Sequence, residues 1–209
     1  MSLNIKCLAL SLIVVTGLVF IWWQHSLNTA LLQALRSGHM QRAQALLQTG
    51  ANANAEDQYG SALQEACRRG FVSMVDDLQR HGASLSPESA AVILFRMADV
   101  DDSQVIADRK GYHQIIAFLL AHGAKINQRT YLGHTPLTLA VWVCNIEISR
   151  EFIAWGADVN VHLDNGQTPL EHAYPSSRDW KAKLMVALLR SKGAKLSAKE
   201  LQHVKEYGF

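Results

Sequence analysis

The chain is poor in the residues from which covalent frameworks and reactive centres are built. Its 209 residues include only three cysteines, too few and too odd in number for a disulfide framework. It contains no H-E-x-x-H, paired C-x-x-C, G-x-S-x-G or phosphate-binding glycine loop, so the familiar metal-hydrolase, zinc, serine-hydrolase and nucleotide signatures are missing. An excess of one charge is missing too. Beyond residue 26 there are 19 Lys and Arg against 18 Asp and Glu, far from the balance of a phosphate-binding surface. Nucleic acid, a metal, a cofactor and enzymatic activity are therefore not expected.

Charge is absent altogether from Cys7 to Trp23, a stretch that is almost wholly apolar. At about 1.5 Å per helical residue this is a short membrane span, and it is longer than the roughly 7 to 15 residues of a signal-peptide core. Small residues at A-x-A spacing are also missing, since Trp22-Trp23-Gln24-His25 closes the run; paired tryptophans suit a membrane interface. Residues 1–26 are read as an uncleaved anchor, with a removed signal peptide and a buried core helix as the alternatives. Lys6 and the amino terminus oppose Arg36 and Arg42 across the run, and the short leading tail favours the N-terminus inside. The rest of the chain then faces a bacterial periplasm, or is soluble there if the segment is cleaved. Residues 24–28 are expected to be a linker of about 3.5 Å per residue, which starts the folded domain within roughly 17 Å of the bilayer.

What is abundant is repetition. Gly-Ala pairs close leucine-containing runs at Gly50-Ala51, Gly82-Ala83, Gly123-Ala124, Gly156-Ala157 and Gly193-Ala194, at spacings of 32, 41, 33 and 37 residues. A unit of about 33 residues explains the intervals if two units carry insertions. The clearest unit begins Gly133-His134-Thr135-Pro136-Leu137 and ends Gly156-Ala157-Asp158-Val159-Asn160; a second Thr-Pro-Leu follows 33 residues later at Thr168. Thr135 and Thr168 suit helix N-caps, with Pro136 and Pro169 at the first helical position. Gly38 and Gly70 fall where a first helix must turn back. Ala34, Ala66, Ala140 and Ala173 are small where units approach, and Leu46, Leu78, Leu119 and Leu188 supply the buried side of the second helix.

These motifs resemble the ankyrin repeat. The resemblance implies an all-α, ankyrin-like solenoid of about five helix-turn-helix repeats behind the N-terminal transmembrane or signal helix. The repeats fall at about 27–56, 57–86, 87–129, 130–162 and 163–196, with a C-terminal cap at 197–209; together they form one domain, 27–209. Three units depart from the pattern. Gly60 displaces the second tip by one position, Ser86-Pro87 starts the third without Thr-Pro-Leu, and Cys144 stands where the fourth needs a turn glycine. Residues 99–110 lengthen the third unit by about eight residues. Cys67 and Cys144 sit in first helices two units apart, at about 8 to 10 Å per layer, too far for a disulfide; both are expected unpaired and largely buried.

By resemblance, partners dock on the hairpin tips and the solvent side of the first helices. The matching residues are Tyr59, Arg68, Arg69, Tyr131, His134, Trp142, Asp164 and Gln167, joined by Asp99, Asp101 and Asp102 of the insertion. Trp142 leads, because aromatic and Arg side chains carry much of the energy at interfaces; packing between repeats is its alternative. Trp155 and Trp180 are read as packing residues. The nine histidines suggest metal chemistry, yet His39, His81, His122 and His134 all occupy solvent-side slots. A basic end, Arg178 to Lys199, is read as a solvated cap, with an acidic partner patch as the sharper alternative. The expected function is non-catalytic capture of a protein partner, inhibiting a secreted toxic enzyme in the manner of an immunity protein. The alternative is an accessory scaffold that localises or protects an envelope or stress-response enzyme. Alone, the chain is expected to be monomeric.

Overall fold

In a computed structural model, residues 2–98, 109–130, 133–173 and 180–196 are described, the side chains of 2–14, 109 and 110 excepted. They form ten α-helices and one two-stranded hairpin. The chain divides into two compact units, residues 1–66 with 73–84 and residues 67–72 with 85–209.

In the first unit, α1 runs unbroken from Ser2 to Arg36 and α2 from Met40 to Gln48. Residues 24–28 are therefore helix, not extended linker, and advance about 1.5 Å each instead of 3.5 Å. Thr29 lies inside α1, its hydroxyl donating to the His25 carbonyl at 2.9 Å. The turn back is made at Gly38, whose φ of 73° is left-handed. Ala34 and Leu47 are buried, but Leu46 is only half-buried; as part of the first helical pair, α2 is covered by a following pair on one side only. From Val15 to Trp23, α1 exposes nearly every apolar side chain, Trp22 at 71 %. No helix among the described residues is long and apolar enough to cross a membrane; most of the apolar run before Val15 lies outside the described side chains.

The second tip differs from a simple turn. β1 (Glu56–Asp57) and β2 (Gly60–Ser61) pair antiparallel, a small departure from an all-α fold. Gly60 sits at φ 132°, a conformation that side-chain-bearing residues rarely adopt, and the Gln64 amide lies against it. Ser61 replaces the capping threonine, its Oγ accepting from the Gln64 N–H at 3.2 Å, and α3 (Ala62–Arg68) follows. α4 spans Val72–Arg80, with Met74, Val75 and Leu78 buried.

The second unit holds α5 (Pro87–Ala98), α6 (Arg109–Ala121), α7 (Pro136–Trp142), α8 (Ile146–Ala154), α9 (Pro169–Ala173) and α10 (Trp180–Ser191). Ser86 Oγ accepts from the Ser89 N–H, so the Ser-Pro start caps α5 as expected. Thr135 and Thr138 form a reciprocal capping box on α7, with Pro136 in the first turn. Thr168 does the same for α9 with Glu171. Both devices satisfy N–H groups that a helix start leaves orphaned. Ala140, Ala173, Leu119 and Leu188 are buried with Tyr112, Ile116 and Phe152, and α7 packs on α5, α8 and α9. Cys144 takes up the glycine conformation at φ 55°. Neither Cys67 nor Cys144 is in a disulfide, and Cys144 is half-buried where Cys67 is buried. The proposed cap 197–209 and the insertion 99–108 lie outside the described residues.

Within each unit, asparagines link successive Gly-Ala turns. Asn54 Nδ2 donates to the Gly82 carbonyl at 2.8 Å and its Oδ1 accepts from the Ser84 N–H at 2.7 Å. Asn127 repeats this with Gly156 and Asp158 at 3.1 and 2.8 Å. Asn160 does so with Gly193 and Lys195 at 3.2 and 2.8 Å. A short amide carries donor and acceptor together, so one side chain satisfies both backbone groups.

Candidate functional site

The tips and first helices of the second unit bring three aromatic side chains together. His134 precedes the Thr135 cap, Trp142 ends α7, and His172 lies on α9. Helix packing of α9 on α7 places the rings side by side. His134 stacks on Trp142 with centroids 6.0 Å apart and planes 13° from parallel. His172 lies 6.1 Å from His134 and 6.5 Å from Trp142. Trp142 is 63 % exposed.

His134 is half-buried instead of solvent-side. Its Nδ1 and the Nε2 of His172 are buried without a hydrogen-bond partner. Burial, and next the neighbouring His134, hold the His172 imidazole below the usual histidine range, with Glu171 opposing. His172 therefore favours its neutral form, beside the exposed ring of Trp142. Such a surface can stack on an aromatic or aliphatic side chain; it lacks an oriented nucleophile and base.

The adjoining tips are tied by an ion pair, Arg129 Nη2 to Asp164 Oδ1 at 3.0 Å. Gly133 makes room for it, because a Cβ there would stand 2.5 Å from that carboxylate oxygen and 2.8 Å from Arg129. Asp164 is thus committed to Arg129. Gln167 is exposed, its Oε1 accepting from Asn165 Nδ2 at 2.6 Å. Tyr131, Asp99, Asp101 and Asp102 lie outside the described residues. Arg68 and Arg69 are half-buried at the end of α3.

In the first unit, Tyr59 is exposed and its ring lies 5.1 Å from the Arg36 guanidinium. Arg36 grips Asp57 through both Nη atoms, at 2.8 and 2.6 Å, holding that carboxyl down at about 2. Its own guanidinium is raised by the same bonds.

Two tryptophans read as packing residues behave differently. Trp155 is half-buried and stacks on His113 at 4.7 Å, its Nε1 buried without a partner. Trp180 is 65 % exposed at the start of α10, because the first turn of that helix presents it to solvent. His172 and Arg129 were not foreseen. The available signal was register: His172 stands 33 residues after Leu139, one repeat beyond the helix that ends in Trp142. His81, exposed, and His122, half-buried, stand before their Gly-Ala turns and set Nδ1 2.8 Å from the Asp77 and Phe118 carbonyls. Among the described residues no group of three or more His, Cys, Asp or Glu could hold a metal ion.

A stack of capped helical pairs with glycine turns and an exposed aromatic cluster defines a repeat protein of the helical-solenoid class. Family comparison makes this specific: the ankyrin-repeat model matches residues 26–58, and the model of three ankyrin copies matches 104–200. The chain is thus an ankyrin-repeat protein over these segments. It is 31 % identical over 140 residues to the ankyrin repeat and KH domain-containing protein mask-1 of Caenorhabditis elegans, covering 66 % of this chain and 5 % of that protein. It is 29 % identical over 155 residues to human ankyrin repeat and SOCS box protein 6, covering 70 % and 35 %. A third match, 31 % over 149 residues, is to an L-asparaginase of Dirofilaria immitis, covering 70 % and 24 %. The chain thus spans about a third or less of these relatives. Ankyrin repeats are protein–protein interaction modules and are in general not catalytic.

Proposed function

We propose that the chain is a membrane-tethered capture protein, whose repeats hold a partner enzyme inactive in the bacterial periplasm. Residues 7–23 serve as the tether. The carrying observation is Trp142, exposed and stacked on His134 with His172 beside it on the tip and first-helix face. A rigid aromatic anchor of this kind binds without a large ordering cost, and a standard interface of roughly 800 Å² per side would cover it with the tips around it. The partner is a secreted toxin or effector enzyme acting near the membrane, and the capture is of the immunity type.

The test is affinity purification with the full-length chain, Trp142→Ala, and a form shortened across residues 99–108. A partner recovered by the parent and lost, or bound at least tenfold more weakly, with Trp142→Ala supports the reading. Equal recovery by all three forms would sink it. The recovered enzyme is then assayed with and without the chain: inhibition supports immunity, and undiminished activity replaces it with scaffolding. Cells lacking the gene should die on exposure to the toxin, and unchanged survival would oppose the immunity role.

A further inference from the structure

The first helical pair carries the same backbone contacts as the later turns, made by different side chains. Gly50 and Asn52 are the positions that match Gly82 and Ser84, Gly156 and Asp158, and Gly193 and Lys195. At the later turns one asparagine serves both positions. At the first, Gln24 Nε2 donates to the Gly50 carbonyl at 2.9 Å, and Asn28 Oδ1 accepts from the Asn52 N–H at 2.9 Å. Gln24 Nε2 also donates to Asn28 Oδ1 at 3.2 Å, joining the two amides. Donor and acceptor have been divided between two residues.

A helical origin explains the division. Asn54, Asn127 and Asn160 project from irregular backbone between helices, where a short side chain can be turned to meet both groups. Gln24 and Asn28 project from α1, where residues four apart lie one above the other on one face. A longer amide in front and a shorter one behind then reproduce the pair of contacts.

We propose that α1 does the work of a preceding repeat: residues 24–28 are the N-terminal cap of the solenoid, built into the helix that carries the apolar run. Two consequences follow. The first turns of a helix lack N–H partners and fray, so Gln24 and Asn28 hold their positions only if the helix begins at least a turn earlier, at about Phe20 or before. The end of the apolar segment, from about Phe20 on, is therefore kept in the mature chain. In addition, no flexible joint lies between that segment and the first helical pair. The retention rests on the membrane-anchored reading above, whereas the cap stands without it.

Two measurements on the full-length chain in detergent test the cap. The double variant Gln24→Ala/Asn28→Ala is compared with Ser26→Ala, an exposed site on the same helix. Alanine is the better helix former at all three positions, so local helix propensity opposes the expected loss. The double variant should melt about 2–4 °C lower and the Asn52 amide should exchange faster with deuterium, while Ser26→Ala changes neither. Unchanged melting and exchange in the double variant would overturn the cap. For retention, a C-terminally tagged chain extracted from bacterial membranes is weighed intact. A start at or before Phe20 is expected, and a species beginning between Trp22 and Asn28 overturns it. Full-length chain in the soluble fraction would count against the anchor and leave the thermal comparison to decide the cap. Neither readout depends on partner capture.

Discussion

Cys144 is a side chain in a conformation that favours glycine. Gly38 and Gly70 make the equivalent turns at φ 73° and 75°, and Cys144 does so at 55°. Left-handed backbone costs an ordinary residue about 1–2 kcal/mol, and a glycine gives back part of that through its looser unfolded chain. Cys144→Gly should therefore stabilise the protein by about 0.5–1 kcal/mol, read as a higher midpoint in urea at constant slope. Thiol chemistry should separate the two described cysteines. Burial pushes the Cys67 thiol well above the usual range, so iodoacetamide at pH 8 should modify Cys144 and reach Cys67 only in denaturant; equal rates in the native protein would contradict the packing of α3. Asp57 supplies an acid-side signature. The Arg36 bond lowers its carboxyl to about 2 in the fold, from an ordinary value near 4. The contribution is therefore complete above about pH 4 and is lost as the pH falls toward 2. Asp57→Asn should lower the melting point at pH 6 and flatten its decline between pH 4 and 2.

The elements were legible to different degrees. Both Thr-Pro-Leu units were readable because each carries its own start signal, and the capping boxes at Thr135 and Thr168 confirm the mechanism. Thr135→Ala should cost about 1–2 kcal/mol, more than a typical surface cap, since Thr135 and Thr138 are both buried. A loss below about 0.3 kcal/mol would show the box to be incidental. The continuity of α1 was not readable. Gln24 to Asn28 is a polar interval between an apolar run and a repeat, and local composition gives it the look of a linker. What keeps it helical is tertiary: the amides of Gln24 and Asn28 find partners on a turn 24 to 26 residues away. The hairpin at Gly60 was legible only as a shift of register, because the pairing of Glu56–Asp57 with Gly60–Ser61 that sets its φ of 132° is not written in the local pattern.

At the scale of the whole molecule, periodicity revealed the repeats but not which of their solvent slots cooperate. Trp142 and His134 were selected by position, whereas His172 joined them only through the packing of α9 on α7. Asp164, chosen as a contact residue, pairs with Arg129, a link between tips that a linear reading cannot see. His172 also makes the site sensitive to acid. Its imidazole is held below the ordinary histidine value, so the fold favours the neutral form, and stability is lost as the pH falls through the histidine range. His172→Gln should lessen that loss between about pH 7 and 5, and an unaltered pH profile would place its origin elsewhere.

The asparagine contacts have a direction, since each side chain reaches forward to the turn of the next pair and none of these three reaches back. Interfaces with a front and a back are heterologous, and a heterologous contact left open at one end accepts a second molecule in the same way, without closing. By occupying Gly50 and Asn52 from within the chain, Gln24 and Asn28 fill the receiving side of that contact at the first turn. Polymer chemistry calls a group that closes one end of a repeating linkage an end group, and these two amides hold that place for the asparagine contacts.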